Sequence, residues 1–112
     1  MANIKRPIFN RKKIHDKYYD STSWRKTTKS HRKANPFCFY CIQGVGCNPE
    51  TLTLAYATDH QLPRRLFPEL EDDPQNLKSI CKRHDGIKRS IEAQCHTRAQ
   101  AITKLRGGGF IL

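Results

Sequence analysis

The sequence predicts a small α+β domain with flanking helices, and three features of the chain predict it. Two pairs of soft side chains, Cys38-x2-Cys41 and Cys81-x2-His84, bracket the middle of the chain. A stretch rich in β-formers lies between them, and stretches with helical periodicity lie before the first pair and after the second. At 112 residues the chain suits one domain. A core this thin gains from an added cross-link.

The elements follow in order. Residues 1–19 are basic and irregular, with Pro7 early, and read as a flexible arm. The domain proper spans 20–104. Asp20 or Ser21 caps a helix that runs through Trp24 to about Lys33. Asn35-Pro36 ends it, because the residue before proline avoids the helical region. Trp24 is expected to pack this helix on the knuckle that the two pairs would form. Residues 37–41 suit a short aromatic strand turning into that pair. Gly44, Gly46 and Asn48-Pro49 mark a loop. Residues 51–58 read as a strand with Leu52, Leu54 and Tyr56 alternating, and it delivers Asp59 and His60 at its end. Residues 63–74 connect onward with a short helical piece near Leu66-Phe67. They carry Glu69, Glu71, Asp72 and Asp73, the chain's negative cluster. One helix is expected over residues 84–104, with Ile87, Ile91, Cys95 and Ile102 near one face. Gly107-Gly108-Gly109 ends it and frees a tail, residues 105–112.

The charge is uneven. Net charge is +11, from 21 Lys and Arg against 10 Asp and Glu. Over half of the basic residues lie in residues 1–33, whose only acids are Asp16 and Asp20. Such a bias points to a polyanionic partner, with Arg11, Lys12 and Lys13 on the arm and Arg25 and Lys26 on the leading helix gripping a phosphate backbone. No apolar run approaches the ~20 residues of a membrane span. The opening MANIKRPIF lacks the apolar stretch of a secretory signal, so the expected setting is the cytoplasm.

Five cysteines are present, and in a cytosolic chain their paired spacing reads as metal ligation before disulfides. Two residues between ligands let a tight turn aim both side chains at one ion. Two such turns complete a tetrahedron, and thiolates with imidazole suit Zn²⁺. Cys38, Cys41, Cys81 and His84 are the expected ligands, with Cys47 the rival for the fourth place. Four protein ligands leave no open position, so this zinc would be structural. Cys95 reads as a small apolar residue on a helix face.

Between the two pairs lie Asp59-His60 and Asn76, and Asp85 follows directly on His84. Phosphodiester hydrolysis needs a base for water, a hard cation at the phosphate and a group that holds the base in its tautomer. His60 can be the base. Asp59 and Asp85 can hold a divalent cation such as Mg²⁺ or Mn²⁺. Asn76 can orient the imidazole.

Taken together, residues 19–94 resemble the HNH endonucleases, especially the small phage-encoded ones. The resemblance is carried by Tyr19-Asp20-Ser21 with Trp24-Arg25, Pro36-Phe37-Cys38-x2-Cys41, Ala57-Thr58-Asp59-His60, Leu66-Phe67, Asn76-Leu77-x3-Cys81-x2-His84, Asp85 and Lys88. It implies the ββα-metal (His-Me finger) fold around one catalytic ion. It also implies His60 as general base, Asn76 as the residue that positions it, and Asp59 and Asp85 as cation ligands. The family usually ends C-x2-C-H-N, whereas here the stretch reads Cys81-Lys82-Arg83-His84-Asp85-Gly86. The family's lysine falls three positions after the catalytic residue. Lys88 is three after Asp85, which selects the register with His84 on zinc; Lys88 joins the expected DNA contacts. The resemblance further implies DNA as substrate and work beside a phage terminase during genome packaging, inside the host cell. The rival reading is a zinc-stapled nucleic-acid-binding module that cuts nothing. Two acids aimed at phosphate argue against it, since they repel it.

Overall fold

The computed structural model describes residues 17–47 and 52–112. In chain order the helices and strands are α1 (Lys17–Asp20), α2 (Thr22–Ala34), α3 (Phe39–Ile42), β1 (Ala57–His60), β2 (Leu77–Ile80), α4 (Lys82–Glu92) and α5 (Arg98–Gly107). Single 3₁₀ turns at Pro68–Leu70 and Pro74–Asn76 shape the β1–β2 connection. Among the described residues, no helix is long and apolar enough to cross a membrane.

The leading helix forms as its sequence dictates. The Ser21 side chain accepts from the Trp24 N–H and caps α2, and Asn35 closes its other end. The preceding residues depart from the arm expected over 1–19: Lys17–Asp20 form a helical turn whose tyrosines pack on the domain. Arg11, Lys12 and Lys13, with the rest of residues 1–16, lie outside the described residues.

β1 and β2 pair antiparallel in the register Ala57↔Ile80, Thr58↔Ser79, Asp59↔Lys78 and His60↔Leu77. The helix α2 is tied across this ribbon by Thr28 Oγ1 donating to Thr58 Oγ1 at 2.6 Å. The strand expected over 51–58 is shorter and later than its alternation suggests. Leu54 makes a single bridge to Phe37, and Leu52, Leu54 and Tyr56 face solvent. The expected strand over 37–41 is likewise only that bridge, followed by the helical turn α3, because Cys38 and Cys41 must converge on one point.

The C-terminal half departs twice. Two helices replace the one expected over 84–104. The chain turns between them so that Cys95 is fully buried in the core from the turn, and the Thr97 side chain caps α5. The last residues dock as well. Gly109, at φ 86°, takes a left-handed conformation open to glycine. The turn brings Phe110 into the core at 2% exposure, against Tyr40 and His84. The core is built from Cys38, Tyr40, Cys41, Phe67, Ile80 and Cys81, joined by Cys95, Ala101, Leu105 and Phe110 from the C-terminal end.

Candidate active site

The knuckle forms at the junction of α3 and α4. Cys38 precedes α3, Cys41 lies within it, Cys81 caps α4, and His84 is in its first turn. His84 Nδ1 lies 3.6, 3.5 and 3.3 Å from the sulfurs of Cys38, Cys41 and Cys81, and Cys41 Sγ is 3.8 Å from Cys81 Sγ. A tetrahedron with Zn–S of ~2.3 Å and Zn–N of ~2.0 Å puts its sulfurs ~3.8 Å apart and nitrogen ~3.5 Å from sulfur. The four atoms therefore fit a zinc ion. The His84 Nε2–H donates to the Val45 carbonyl at 2.6 Å, which leaves Nδ1 as the ligating nitrogen. Cys47 packs half-buried beside the core, outside this cluster. Burial raises the Cys81 thiol, but hydrogen bonding, that of the His84 backbone foremost, outweighs it and brings Cys81 down to about 7. Cys41, which burial pushes up to about 12, would need the metal's own charge to ionise.

A second centre lies on the ribbon beside the knuckle. A cavity of about 670 Å³ is lined by Asp59 and His60 from β1, Asp85, Arg89 and Glu92 from α4, and Arg32 from α2. His60 is 5% exposed. Its ring stacks on Trp24 at 5.0 Å between centroids and 19° between planes. Trp24 is thus buried, but it packs on His60 where the knuckle was expected. The reason is helical phase: Trp24, Thr28 and Arg32, at i, i+4 and i+8, all face this cavity.

The His60 Nε2–H donates to the Glu71 carbonyl at 2.9 Å, since a carbonyl only accepts. That leaves Nδ1 as the basic nitrogen, 3.4 Å from the Tyr19 hydroxyl. Burial lowers the His60 pKa below its ordinary 6.5 and favours the neutral ring. Asn76 does not touch the imidazole. Its amide accepts from Leu62 N–H at 2.8 Å and donates to the Leu62 and Leu70 carbonyls. It fixes the connection that carries Glu71, and so bears on His60 indirectly.

Lys88 is corrected outright. At 1% exposure it cannot meet DNA. Its ammonium donates to the His60 carbonyl at 2.9 Å and to Glu92, and forms an ion pair with Asp59 Oδ2 at 3.1 Å. A carbonyl and two carboxylates surround the charge, which is what lets a lysine stay buried. Asp59 Oδ2 also accepts from Tyr40 at 3.1 Å, and Asp85 Oδ2 from Tyr56, with Arg89 at 3.4 Å. Burial pushes the Asp59 carboxyl up to about 6, against the lowering effect of Lys88.

No protein-family model matches the chain, and no curated protein matches it in sequence. In structure it resembles the HNH endonuclease of the deep-sea thermophilic bacteriophage GVE2, solved as a crystal structure with manganese ion. The TM-score is 0.60 at 24% identity, over 69% of this chain and 79% of that one. The fold is HNH-type.

Within the HNH-type fold, the residues missed by sequence reasoning are Tyr40, Glu92 and the arginines 32, 64, 65 and 89 of the cavity wall. The i,i+4 spacing of Lys88 and Glu92 was the one available signal. Arg25 and Lys26 are exposed on α2 but do not line the cavity. Among the described residues, the three cysteines and His84 are the one group of three or more metal-ligating side chains in mutual reach. A cation at Asp59 and Asp85 would therefore take two protein ligands and fill its remaining positions with water or phosphate. Two hard carboxylates facing one open cavity fit such an ion, and Mg²⁺ is commonly held this way.

Proposed function

We propose that the chain is a metal-dependent endonuclease that hydrolyses DNA phosphodiester bonds. The observation that carries this reading is the single cavity in which His60, Asp59 and Asp85 face four arginines, on an HNH-type fold. The arginines attract and orient a phosphodiester. Neutral His60, with Nε2 tied to Glu71, takes the proton of an attacking water at Nδ1. Asp59 and Asp85 hold a divalent cation, which when bound stabilises charge on the phosphate. The zinc held by Cys38, Cys41, Cys81 and His84 is structural, because its four ligands close the site. The arm, with Arg25 and Lys26, adds grip on the backbone without sequence information. The setting that goes with the family resemblance is phage genome packaging beside a terminase in the host cytoplasm. Co-purification with that terminase from infected cells tests it.

One observation favours the rival reading of a zinc-stapled binding module. His60 is nearly inaccessible, with a partner on each ring nitrogen, so Tyr19 must move before water reaches Nδ1. One assay separates the two readings: supercoiled plasmid incubated with the protein, with and without Mg²⁺ or Mn²⁺. Cation-dependent nicking or linearisation supports the nuclease. Retarded but intact plasmid supports the module.

A further inference from the structure

Tyr40 belongs to the knuckle by sequence and touches Asp59 of the cavity wall from behind it. It lies between Cys38 and Cys41 in the chain, is fully buried, and its ring centroid is 6.1 Å from that of His84. Its hydroxyl donates to Asp59 Oδ2 at 3.1 Å. Lys88 meets the same oxygen from α4 at 3.1 Å, and its helix is capped by the knuckle residue Cys81. Two side chains, each at most 1% exposed, one next to Cys41 and the other a helical turn beyond His84, therefore converge on one carboxylate oxygen. Asp85, by contrast, is held by Tyr56 and Arg89, neither of which is in the knuckle.

We propose that Tyr40 is a positioning residue: from inside the knuckle it pins Asp59 Oδ2, with Lys88 opposite, so that Oδ1 is the oxygen presented to a divalent cation. The knuckle then sets the geometry of the cation site as well as the fold. This rests on the reading of Asp59 as a cation ligand. Outer hydrogen-bond partners of metal ligands typically contribute about 10–100-fold in metal affinity.

The test is Mn²⁺ binding to zinc-loaded protein without DNA, followed by electron paramagnetic resonance. Wild type, Tyr40→Phe, Asp59→Ala and the double variant are compared. Phenylalanine keeps the ring and removes only the hydroxyl. Mn²⁺ affinity is expected to fall about tenfold or more in Tyr40→Phe with zinc content unchanged. In the Asp59→Ala background the same substitution is expected to do nothing, because Tyr40 acts through Asp59. Unchanged affinity in Tyr40→Phe, with Asp59→Ala weakened, overturns the proposal alone. An equal loss in both backgrounds also overturns it, since that marks a general packing effect. Unchanged affinity in Asp59→Ala removes the ligand reading itself, and the proposal with it.

Discussion

The indole of Trp24 lies nearly parallel to the imidazole of His60, 5.0 Å away, and roofs the one histidine that lines the cavity. The stack fixes the ring plane while Glu71 fixes the tautomer. His60→Ala is therefore expected to lower plasmid cleavage by about 10²–10⁴-fold while zinc content and DNA retention stay near wild type. A His60→Ala protein that cuts at the wild-type rate would remove the mechanism.

The knuckle predicts a sharp division among the cysteines. Purified protein should hold about one equivalent of zinc. Cys38→Ser or Cys81→Ser should unfold it, because structural zinc contributes on the order of 10 kcal/mol, as much as a small domain has in total. Cys47→Ser should keep both zinc and fold. Zinc release from Cys47→Ser, with His84→Ala still loaded, would reverse the ligand assignment.

Two pKa shifts set the pH dependence. Burial lowers His60 below its ordinary 6.5, so its neutral form persists further into the acid range than that of a free imidazole. Burial raises the cation-free Asp59 to about 6, and a protonated carboxyl is a poor ligand. At low Mn²⁺, cleavage should fall as pH drops through about 6, and raising Mn²⁺ should move that fall to lower pH. A fall whose midpoint ignores Mn²⁺ concentration would count against Asp59 as the ligand.

The docked end of the chain predicts a cost where the sequence suggested a free tail. Phe110 is 2% exposed, and its carbonyl accepts from the Gln61 side chain at 2.9 Å. Phe110→Ala is expected to destabilise by about 3–5 kcal/mol, measured by chemical unfolding of the zinc-loaded protein. A loss below about 0.5 kcal/mol, typical of a surface change, would show that the end does not belong to the core.

Removing residues 1–16 deletes Lys5, Arg6, Arg11, Lys12 and Lys13 with Asp16 as the only acid. DNA affinity should weaken equally for all sequences and its salt dependence should flatten. Unchanged affinity at low salt would make these residues a solubility device.

What was legible in the sequence was local. The knuckle ligands and the position of Asp59-His60 before a turn follow from spacing a few residues long. The Ser21 cap and the Asn35-Pro36 stop are equally short-range. What was not legible depended on which surface a residue meets. Ile87, Ile91, Cys95 and Ile102 keep a helical phase straight through the turn between α4 and α5, so periodicity alone hides the break; Thr97, a capping residue, was its one signal. Leu52, Leu54 and Tyr56 alternate like a strand yet find only one bridging partner. Lys88 reads as a DNA contact in so basic a chain. Its true role follows from carboxylates placed by two different elements.

Cys41 and Cys81 are 40 residues apart, and the exposed residues Pro68, Glu69, Asp72 and Pro74 lie on the loop they close. A zinc ion there would tie the two parts of the chain as a disulfide does, but with bonds that chelators undo. A single backbone cut in that loop would leave Asp59 and His60 on one fragment and Asp85 on the other, with the ion bridging them. Two separately made halves, divided in that loop, should therefore reassemble on adding zinc and come apart on removing it.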